Sequence, residues 1–481
     1  MLLQSPTPGP MPSDVIEMAA QYLPDTPLVI GGLVGVGSLA VGGRRSGRFV
    51  ARTLARRQAD REGYALPMFI RDDRNIKQYE QMGNVVSIPR EGSILALGAT
   101  RSGKTETGKW IVDGMQAAEN EPMVVYDHKD DYQQFFEQTG REHITLSASG
   151  STHTWNIFEE IERESDADEI ARSIFAEIEA AGGSSGAFFG PAARQIFAAV
   201  LKHLRRTADE DANLSNHSVV GFFREHGPEE AYEALSSDEE GDLAGVAAAI
   251  NPDSSDNQQG GVWANIQKHV TDVFANEFAQ QPTADQPSIS IREYMKTPDG
   301  KALVLDYPYR EGSTTTPIFR LLIDLAAREA LVDGDRGSYF ILDEVAQIPN
   351  LNRLDELVNV GAGRNIQVFV TLQSVAQLRA NYGEEEASAI LSGLTSTILL
   401  RSDDPKSVEF AQAKIGREKT DYTAHVEKAN LPRGRQKTMH REMKPEHEHV
   451  FPEAEINSWR PGKGVIVRPD SWAFGRVKPY D

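Results

Sequence analysis

The sequence predicts an α/β fold with a central, mostly parallel sheet and an inserted all-helical domain. Two observations predict it. Short apolar runs alternate with helical stretches in two separate blocks, and a long region rich in alanine and glutamate, without strand candidates, lies between them. Alternating strands and helices form βαβ units, which build parallel sheets. The predicted core therefore comprises residues 66–158 and 288–481, and the predicted helical domain comprises residues 159–287.

The individual elements follow from short patterns of strand length or helical periodicity. A helix is expected over residues 104–118, between the first two strands. From about residue 420 the chain is rich in proline, histidine, lysine and glutamate, so we expect a loosely ordered tail before a last strand. The strand candidates are residues 93–97, 123–126, 302–305, 339–342, 368–371 and 464–467.

Length and composition limit the classes of function. A chain of 481 residues accommodates two or three domains, and the absence of cysteine excludes disulfides, thiolate metal sites and cysteine nucleophiles. The formal charge of -21 is the opposite of the usual bias of nucleic-acid binders, so DNA contact requires a local concentration of basic residues. Arginine outnumbers lysine by about two to one, and an acidic composition of this kind is also typical of salt-loving archaea.

An uncharged apolar segment, residues 28–43, lies near the start of the chain and is followed by Arg44, Arg45 and Arg48. It is slightly shorter than the ~20 residues that cross a bilayer, a difference that tilt or snorkelling makes up. A single-pass anchor would place the rest of the chain on the cytoplasmic side of the cell membrane. The alternative is a glycine-rich buried helix or loop in a cytoplasmic protein. Residues 1–65 are thus predicted to be an N-terminal segment with a basic linker.

A phosphate-binding motif follows the first strand candidate. The residues fit the pattern G-x-x-x-x-G-K-[ST] and lie between a strand and a helix, which is the context that this motif requires. Backbone N–H groups and the helix N-terminus would hold the phosphates of ATP, the lysine would reach the β- and γ-phosphates, and the threonine would bind Mg²⁺. The predicted nucleotide contacts are Gly98, Ala99, Thr100, Arg101, Ser102, Gly103, Lys104, Thr105 and Glu106.

Two carboxylates end the strand candidate at residues 339–342. We expect Asp343 to hold the magnesium ion through water and Glu344 to polarise the attacking water. A strand-end turn with two solvated acids is the alternative, but the preceding phosphate-binding motif favours the catalytic interpretation. The adjacent Glu also favours a hydrolase over a kinase or a small GTPase. About 240 residues separate Thr105 from Asp343, and the predicted helical domain accounts for this distance.

Two more candidates belong to the next strand. Gln373 follows residues 368–371, where a polar side chain beside the P-loop can sense the γ-phosphate or the attacking water. Taken alone, a glutamine at this point is more often the start of a helix. Arg364 precedes the same strand and is a candidate arginine finger that reaches the γ-phosphate of a neighbouring subunit. An ordinary surface arginine is its alternative.

Several passages resemble the TraG/TraD-type coupling proteins of type IV secretion, within the HerA–FtsK group of pumping ATPases. They include GATRSGKTETGK at the P-loop, VVYDHKDDY at 124–132 and WNIF at 155–158. The most specific are YFILDEVAQIPNLNRL and GAGRNIQVFVTLQSVAQLRANYG, whose segment from Gln373 to Gly383 is similar to the family's signature after its sensor glutamine. The resemblance covers about residues 85–160 and 300–420.

This resemblance implies a RecA-like P-loop ATPase domain, six subunits in a ring with nucleotide sites between them, and a channel for DNA or protein. It also implies a membrane anchor and secretion-channel or relaxase-type partners. Lys129 corresponds to a family lysine near the nucleotide. Many members have two membrane helices, whereas this chain offers one short candidate at residues 28–43.

Three functions are compatible with these patterns. The first is an ATP-driven DNA pump anchored at the membrane in conjugation or type IV secretion. The second is a soluble HerA-like DNA-processing translocase, and the third is a substrate receptor of a secretion channel with weak ATPase activity. The response of ATP hydrolysis to DNA separates the pump from the receptor.

Overall fold

The structure, a computed structural model, describes residues 63–69 and 85–480, apart from short gaps. The gaps are residues 117, 119, 181–183, 210–212, 239, 253–257, 308–311, 335, 349, 426–440 and 470. The predicted anchor at residues 28–43 and its arginines lie outside the described residues. Across the described ranges, no helix is both long and apolar enough to span a bilayer.

Fifteen strands and fifteen α-helices are described. The strands are β1 (Gly63–Phe69), β2 (Val85–Pro89), β3 (Ile94–Leu97), β4 (Met123–Asp127), β5 (His143–Ser147), β6 (Thr154–Trp155), β7 (Ser288–Ile289), β8 (Ala302–Asp306), β9 (Ser338–Leu342), β10 (Ile366–Leu372), β11 (Ser396–Leu400), β12 (Arg417–His425), β13 (Arg441–His449), β14 (Lys463–Val467) and β15 (Trp472–Val477). The helices are α1 (Lys104–Met115), α2 (Asp131–Thr139), α3 (Glu164–Ala180), α4 (Ser184–Thr207), α5 (Asn216–Glu225), α6 (Pro228–Ser236), α7 (Ala244–Ala247), α8 (Gln258–Val273), α9 (Ile291–Lys296), α10 (Gly312–Val332), α11 (Leu354–Asn359), α12 (Val375–Tyr382), α13 (Glu384–Gly393), α14 (Pro405–Ile415) and α15 (Glu453–Asn457).

Eleven strands form one sheet in the order β2-β1-β15-β14-β11-β3-β10-β9-β4-β8-β5. The seven strands from β11 to β5 are parallel, and the other four add antiparallel pairs at one edge. The predicted mostly parallel sheet is therefore confirmed. Because β3, β10 and β9 are neighbours, the residues that follow these strands meet at one edge of the sheet.

Helices cover both faces of the parallel strands, which explains why these strands are apolar without alternation. Successive strand residues point to opposite faces. Ile94 and Ala96 of β3 belong to the core beneath α1 and α2, whereas Leu95 and Leu97 belong to the core shared with the helical segment. The sheet is thus the common wall between two apolar layers.

The helical segment leaves and rejoins the sheet domain at one place. β6 and β7 pair in parallel, with Thr154 opposite Ser288 and Trp155 opposite Ile289. Between them the described residues contain α3 to α8 and short 3₁₀ turns but no strand. This arrangement agrees with an inserted helical domain, whose boundaries at 159 and 287 stay a prediction.

Buried Glu160 ties the two ends of this segment together. Its carboxylate accepts hydrogen bonds from Trp155 Nε1 at 3.1 Å, Ile291 N at 2.6 Å and Arg292 N at 3.3 Å. Burial raises the pKa of Glu160 to about 7, although these donors lower it. The carboxylate therefore satisfies buried donors from both connections of the helical segment.

Glu160→Ala is expected to lower the free energy of unfolding by about 2 kcal/mol or more, because it leaves several buried donors without an acceptor. Denaturant unfolding measures this change. Glu137→Ala, which removes an exposed carboxylate on α2, is the control and should alter stability by less than about 0.5 kcal/mol. Equal losses in the two variants would contradict the role given to Glu160.

The structure differs from the sequence prediction in several elements. The first helix ends at Met115 rather than at residue 118. The tail after residue 420 is more ordered than expected, because β12 and β13 pair as a two-stranded ribbon and β15 follows β14 in the main sheet. The edge strands β1 and β2 and the parallel strands β5 and β11 are also absent from the prediction.

Candidate nucleotide-binding site

The predicted site residues converge at the carboxyl edge of the parallel sheet. Gly98 follows β3, Gln373 follows β10 and Asp343 follows β9, and these three strands are adjacent and parallel. Ligands of open α/β sheets bind at this edge, beyond the carboxyl ends of the strands. The topology therefore assembles one site from residues that are far apart in the sequence.

The first two P-loop residues shape the loop. Gly98 N donates to the carbonyl of Leu372 at 3.1 Å, and Ala99 N donates to the carbonyl of Arg401 at 2.7 Å. These hydrogen bonds hold the start of the loop against the neighbouring strand ends. A nucleotide contact of Gly98 and Ala99 stays a prediction.

The second half of the loop turns into α1. Gly103, the residue before the helix, has φ +105°, a conformation that favours glycine. α1 begins at Lys104 without a side-chain cap, so its first N–H groups are available to an anion. The Ser102 hydroxyl oxygen is buried and has no hydrogen-bond partner in the described part of the chain. These donors fit the phosphates of a nucleotide.

Lys104 lies deep in the site with its ammonium between two acceptors. Its Nζ donates to the carbonyl of Gly98 at 2.5 Å and lies 3.9 Å from Glu344 Oε2. Burial lowers the pKa of Lys104, and the negative charges of Glu344 and Asp343 raise it. Bound phosphate would add negative charge beside the ammonium and favour its charged form.

The two carboxylates after β9 are held by residues of β10. Thr371 Oγ1 donates to Asp343 Oδ1 at 2.8 Å and accepts a hydrogen bond from Glu344 N at 2.8 Å. Gln373 N donates to Glu344 Oε1 at 2.8 Å. Glu344 has φ +52°, a left-handed backbone conformation that is uncommon outside glycine. The pair is thus oriented by the neighbouring strand before any ligand binds.

The donor set at Asp343 fits a divalent cation. Asp343 Oδ2 is buried and has no hydrogen-bond partner among the described residues. Burial raises the pKa of Asp343, while the hydrogen bond from Thr371 and the charge of Lys129 lower it. A cation at this oxygen would offset the cost of burying the charge. Hard oxygen ligands of this kind suit Mg²⁺.

Thr105, the other predicted magnesium ligand, contacts a carboxylate that the sequence analysis did not single out. Its Oγ1 donates to Asp131 Oδ2 at 3.0 Å. Asp131 begins α2, two residues after Lys129, and its negative charge raises the pKa of Asp343. The adjacent pair Asp130-Asp131 after a buried strand was the available signal.

The side chain of Gln373 reaches across to the P-loop. Its Nε2 donates to Thr100 Oγ1, so the side chain bridges the end of β10 and the loop. Arg401, which follows β11, donates to the carbonyl of Thr100 at 3.4 Å. Arg401 was not predicted to be a site residue, because β11 was not recognised as a strand from its sequence. Arg101, the next loop residue, is exposed and has φ +60°.

Lys129 and Glu106 have different relations to the site. Lys129 is exposed, and its positive charge lowers the pKa of Asp343 and of Lys104, so it lies within electrostatic reach of both. The carboxylate of Glu106 instead accepts a hydrogen bond from Tyr480 N at 2.9 Å and pairs with Lys109 at 3.5 Å. The side chain of Glu106 is thus engaged by groups outside the P-loop, and a nucleotide contact of this residue stays a prediction.

Arg364 lies at the other edge of the sheet. It precedes β10, whose first residue Ile366 pairs with Ser338 at the start of β9. β10 spans about 20 Å at ~3.3 Å per residue, so Arg364 is remote from the P-loop of its own chain. Its guanidinium is exposed and donates to the carbonyl of Leu331. Within one chain, the structure does not bring Arg364 into the site.

Comparisons with solved structures show the same fold. The trigonal form of the bacterial conjugative coupling protein TrwB with sulphate is 18% identical, with a TM-score of 0.62 over 87% of this chain and 95% of that chain. The plasmid coupling protein TrwB with the ATP analogue ADPNP is 18% identical, with a TM-score of 0.61 and the same coverage. VirB4 of Thermoanaerobacter pseudethanolicus is 13% identical, with a TM-score of 0.50 over 86% of this chain and 98% of that chain. The predicted RecA-like P-loop fold is confirmed.

A comparison with curated protein sequences returned no match. The family model of the type IV secretion-system coupling protein DNA-binding domain matches residues 85–478, which is most of the chain and includes every site residue discussed above. With its P-loop, its paired carboxylates and the inserted helical segment, the chain belongs to the family of type IV secretion-system coupling proteins.

Proposed function

We propose that this chain binds ATP with Mg²⁺ and uses its hydrolysis to move DNA, as the motor of a conjugative or type IV secretion system. The observation that carries the proposal is the meeting of the P-loop, the Asp343–Glu344 pair and Gln373 at adjacent strand ends. Solved structures of the similar protein TrwB contain ADP with Mg²⁺ and ADPNP, which supports the same ligands here.

In this proposal the site residues have separate tasks. Lys104 and the N–H groups of the loop and of α1 would hold the phosphates, and Thr105 and Asp343 would hold Mg²⁺, which supplies positive charge against the phosphates when bound. Glu344 accepts the proton of the water that attacks the γ-phosphorus as the bond to the bridging oxygen breaks. Burial raises the pKa of Glu344, which makes this carboxylate a stronger base. Gln373 would fix the position of Glu344 relative to the P-loop, because its backbone N–H donates to Glu344 and its side chain donates to Thr100.

A ring of identical subunits would complete the site. Arg364 lies far from its own P-loop, which suits a residue that acts on a neighbour. Two exposed apolar side chains flank it in the described part of the chain: Val332 is 75% exposed and Val360 is 49% exposed. Exposed apolar residues beside an arginine are typical of a protein interface. We infer that the surface formed by Arg364, Val332 and Val360 contacts the P-loop edge of the next subunit. The family resemblance implies six subunits in this assembly.

Arg364→Ala should lower ATP hydrolysis by the assembled protein at least about tenfold and leave nucleotide affinity unchanged. Arg336→Ala is the matched control, because Arg336 is on the same edge and donates to the backbone carbonyls of Lys296 and Asn120. Mixing Arg364→Ala with Lys104→Ala subunits should restore activity, since the second variant supplies the missing arginine to an intact P-loop. A mixture no more active than its components would contradict a finger in trans.

The membrane anchor at residues 28–43 and the secretion-channel or relaxase-type partners remain predictions. An anchor would hold the ring at the cytoplasmic side of the cell membrane, where transferred DNA has to enter the channel. Membrane fractionation of the full chain, beside a chain lacking residues 28–43, tests the anchor. Recovery of both chains in the soluble fraction would favour the HerA-like translocase.

The function is tested by steady-state ATP hydrolysis with single- and double-stranded DNA at low and high salt. If the chain is a motor that moves along the DNA phosphate backbone, one form of DNA should stimulate ATP hydrolysis, and high salt should weaken this stimulation. Activity that is indifferent to DNA would favour the substrate receptor. Hydrolysis absent under all conditions would contradict the proposed motor.

A further inference from the structure

The C-terminal part of the chain lies directly on the P-loop. The turn from Arg460 to Lys463 precedes β14, and Gly462 N donates to the carbonyl of Ser102 at 2.7 Å. The approach is close, because a Cβ atom built on Gly103 would lie 3.0 Å from Gly462 N. The assigned nucleotide contacts come from elsewhere in the chain, so this contact has no role in the function proposed so far.

This contact bears on the direction of one phosphate-binding group. In a planar trans peptide, the C=O and the N–H point in opposite directions. The carbonyl of Ser102 is turned towards Gly462, so the N–H of Gly103 in the same peptide unit is turned the other way. This orientation leaves the Gly103 N–H available to phosphate, which the backbone N–H groups of a P-loop bind.

The turn itself requires glycine at this position. Lys463 N donates to the carbonyl of Arg460 at 2.9 Å, and Pro461 and Gly462 are the central residues, which is the pattern of a type II turn. Gly462 has φ +77°, and a Cβ atom there would lie 3.1 Å from the carbonyl oxygen of Val477. A side chain would therefore strain the turn and push it against β15.

Further contacts fix the same segment to α1. Trp110 Nε1 donates to the carbonyl of Lys478 at 3.0 Å, and the rings of Trp110 and Tyr480 are 4.7 Å apart. Tyr480 N donates to Glu106, one residue beyond the P-loop. Val477 N donates to the carbonyl of Gly462 at 2.8 Å, which connects the turn to this second group of contacts. The P-loop and α1 are thus held by one continuous stretch of chain.

We propose that Gly462 is a positioning residue of the nucleotide site, which fixes the Ser102–Gly103 peptide so that the Gly103 N–H faces the phosphates. The proposal rests on the proposed function, because it requires that the P-loop binds nucleotide. It assigns to the C-terminal turn a part in nucleotide affinity, although the turn does not touch the reacting atoms.

The test compares Gly462→Ala with Gly300→Ala in the full chain. Gly300 has φ +75°, nearly the same as Gly462, but a Cβ atom there meets no atom within 4 Å, and it lies in the turn before β8. The two substitutions share the backbone strain and differ in contact with the P-loop. Equilibrium titration with a fluorescent ATP analogue and Mg²⁺ gives Kd, steady-state hydrolysis gives KM and kcat, and thermal unfolding gives Tm.

Gly462→Ala should raise Kd and KM about tenfold and leave kcat within about twofold, because Lys104, Glu344 and Gln373 are untouched. Gly300→Ala should lower Tm through the backbone strain alone and leave Kd unchanged. If Gly462→Ala does not fold, Gly462→Asn serves instead, because asparagine adopts positive φ more readily and keeps the added Cβ.

A Gly462 variant with a lower Tm but the same nucleotide Kd as the parent overturns the proposal, since the glycine then has only a structural role. Equal weakening of nucleotide binding in the Gly300 variant overturns it too, as does a fall in kcat at constant KM. A parent chain that binds no nucleotide contradicts the proposed function itself, and this outcome is distinct because it is measured before any variant.

Discussion

Lys104→Ala is expected to abolish ATP hydrolysis, with activity at least about 100-fold below that of the parent. The buried Lys104 ammonium contacts the Gly98 carbonyl and lies near the Glu344 carboxylate. When nucleotide is bound, phosphate would be its main partner. Its removal should also weaken nucleotide binding about tenfold or more, because charge-assisted hydrogen bonds are lost. Steady-state hydrolysis and equilibrium titration measure the two effects.

Lys109→Ala is the control for this change. Lys109 is on the same helix, but its ammonium pairs with the Glu106 carboxylate at 3.5 Å rather than with Gly98 and Glu344. The control should bind and hydrolyse ATP like the parent. More than trace hydrolysis by Lys104→Ala, in protein with the circular dichroism of the parent, would contradict the site as described.

Glu344→Gln should lower kcat by a factor of about 10²–10⁴ and preserve ATP binding. Glutamine keeps an oxygen that can accept the hydrogen bond from Gln373 N, but it cannot take a proton from water. Because burial raises the pKa of Glu344, a neutral side chain is compatible with the fold. The variant should accumulate in an ATP-bound, assembled state, which rapid gel filtration with nucleotide analysis detects.

Glu356→Gln is the matched control, since Glu356 is a more exposed carboxylate on α11 that pairs with Arg353 at 3.1 Å. Its turnover should equal that of the parent. Normal turnover by Glu344→Gln would mean that the base is another group. Loss of ATP binding by Glu344→Gln would instead indicate that the carboxylate has a structural role at Lys104.

The sequence predicted the centre of the site better than its surroundings. The P-loop and the Asp343–Glu344 pair were recognisable because each combines a strand with a fixed polar pattern. Asp131 was missed despite the Asp130-Asp131 pair, because its position beside Thr105 depends on how α2 packs, and Arg401 was missed because β11 was not recognised as a strand. The contact between the Glu106 carboxylate and Tyr480 N, near the far end of the chain, was likewise not predictable from a local pattern.

The periodicity of apolar residues determined the fold class and the helical insertion, because burial on one or two faces is a local property of each element. The P-loop motif likewise determined the phosphate-binding chemistry, since its residues are consecutive. Strand order, the pairing of Thr371 with Asp343, the remote position of Arg364 and the contact of Gly462 with Ser102 were decided only by the tertiary structure. Each of these joins segments that are distant in sequence, and their meeting depends on how the whole sheet is ordered, which no local pattern encodes.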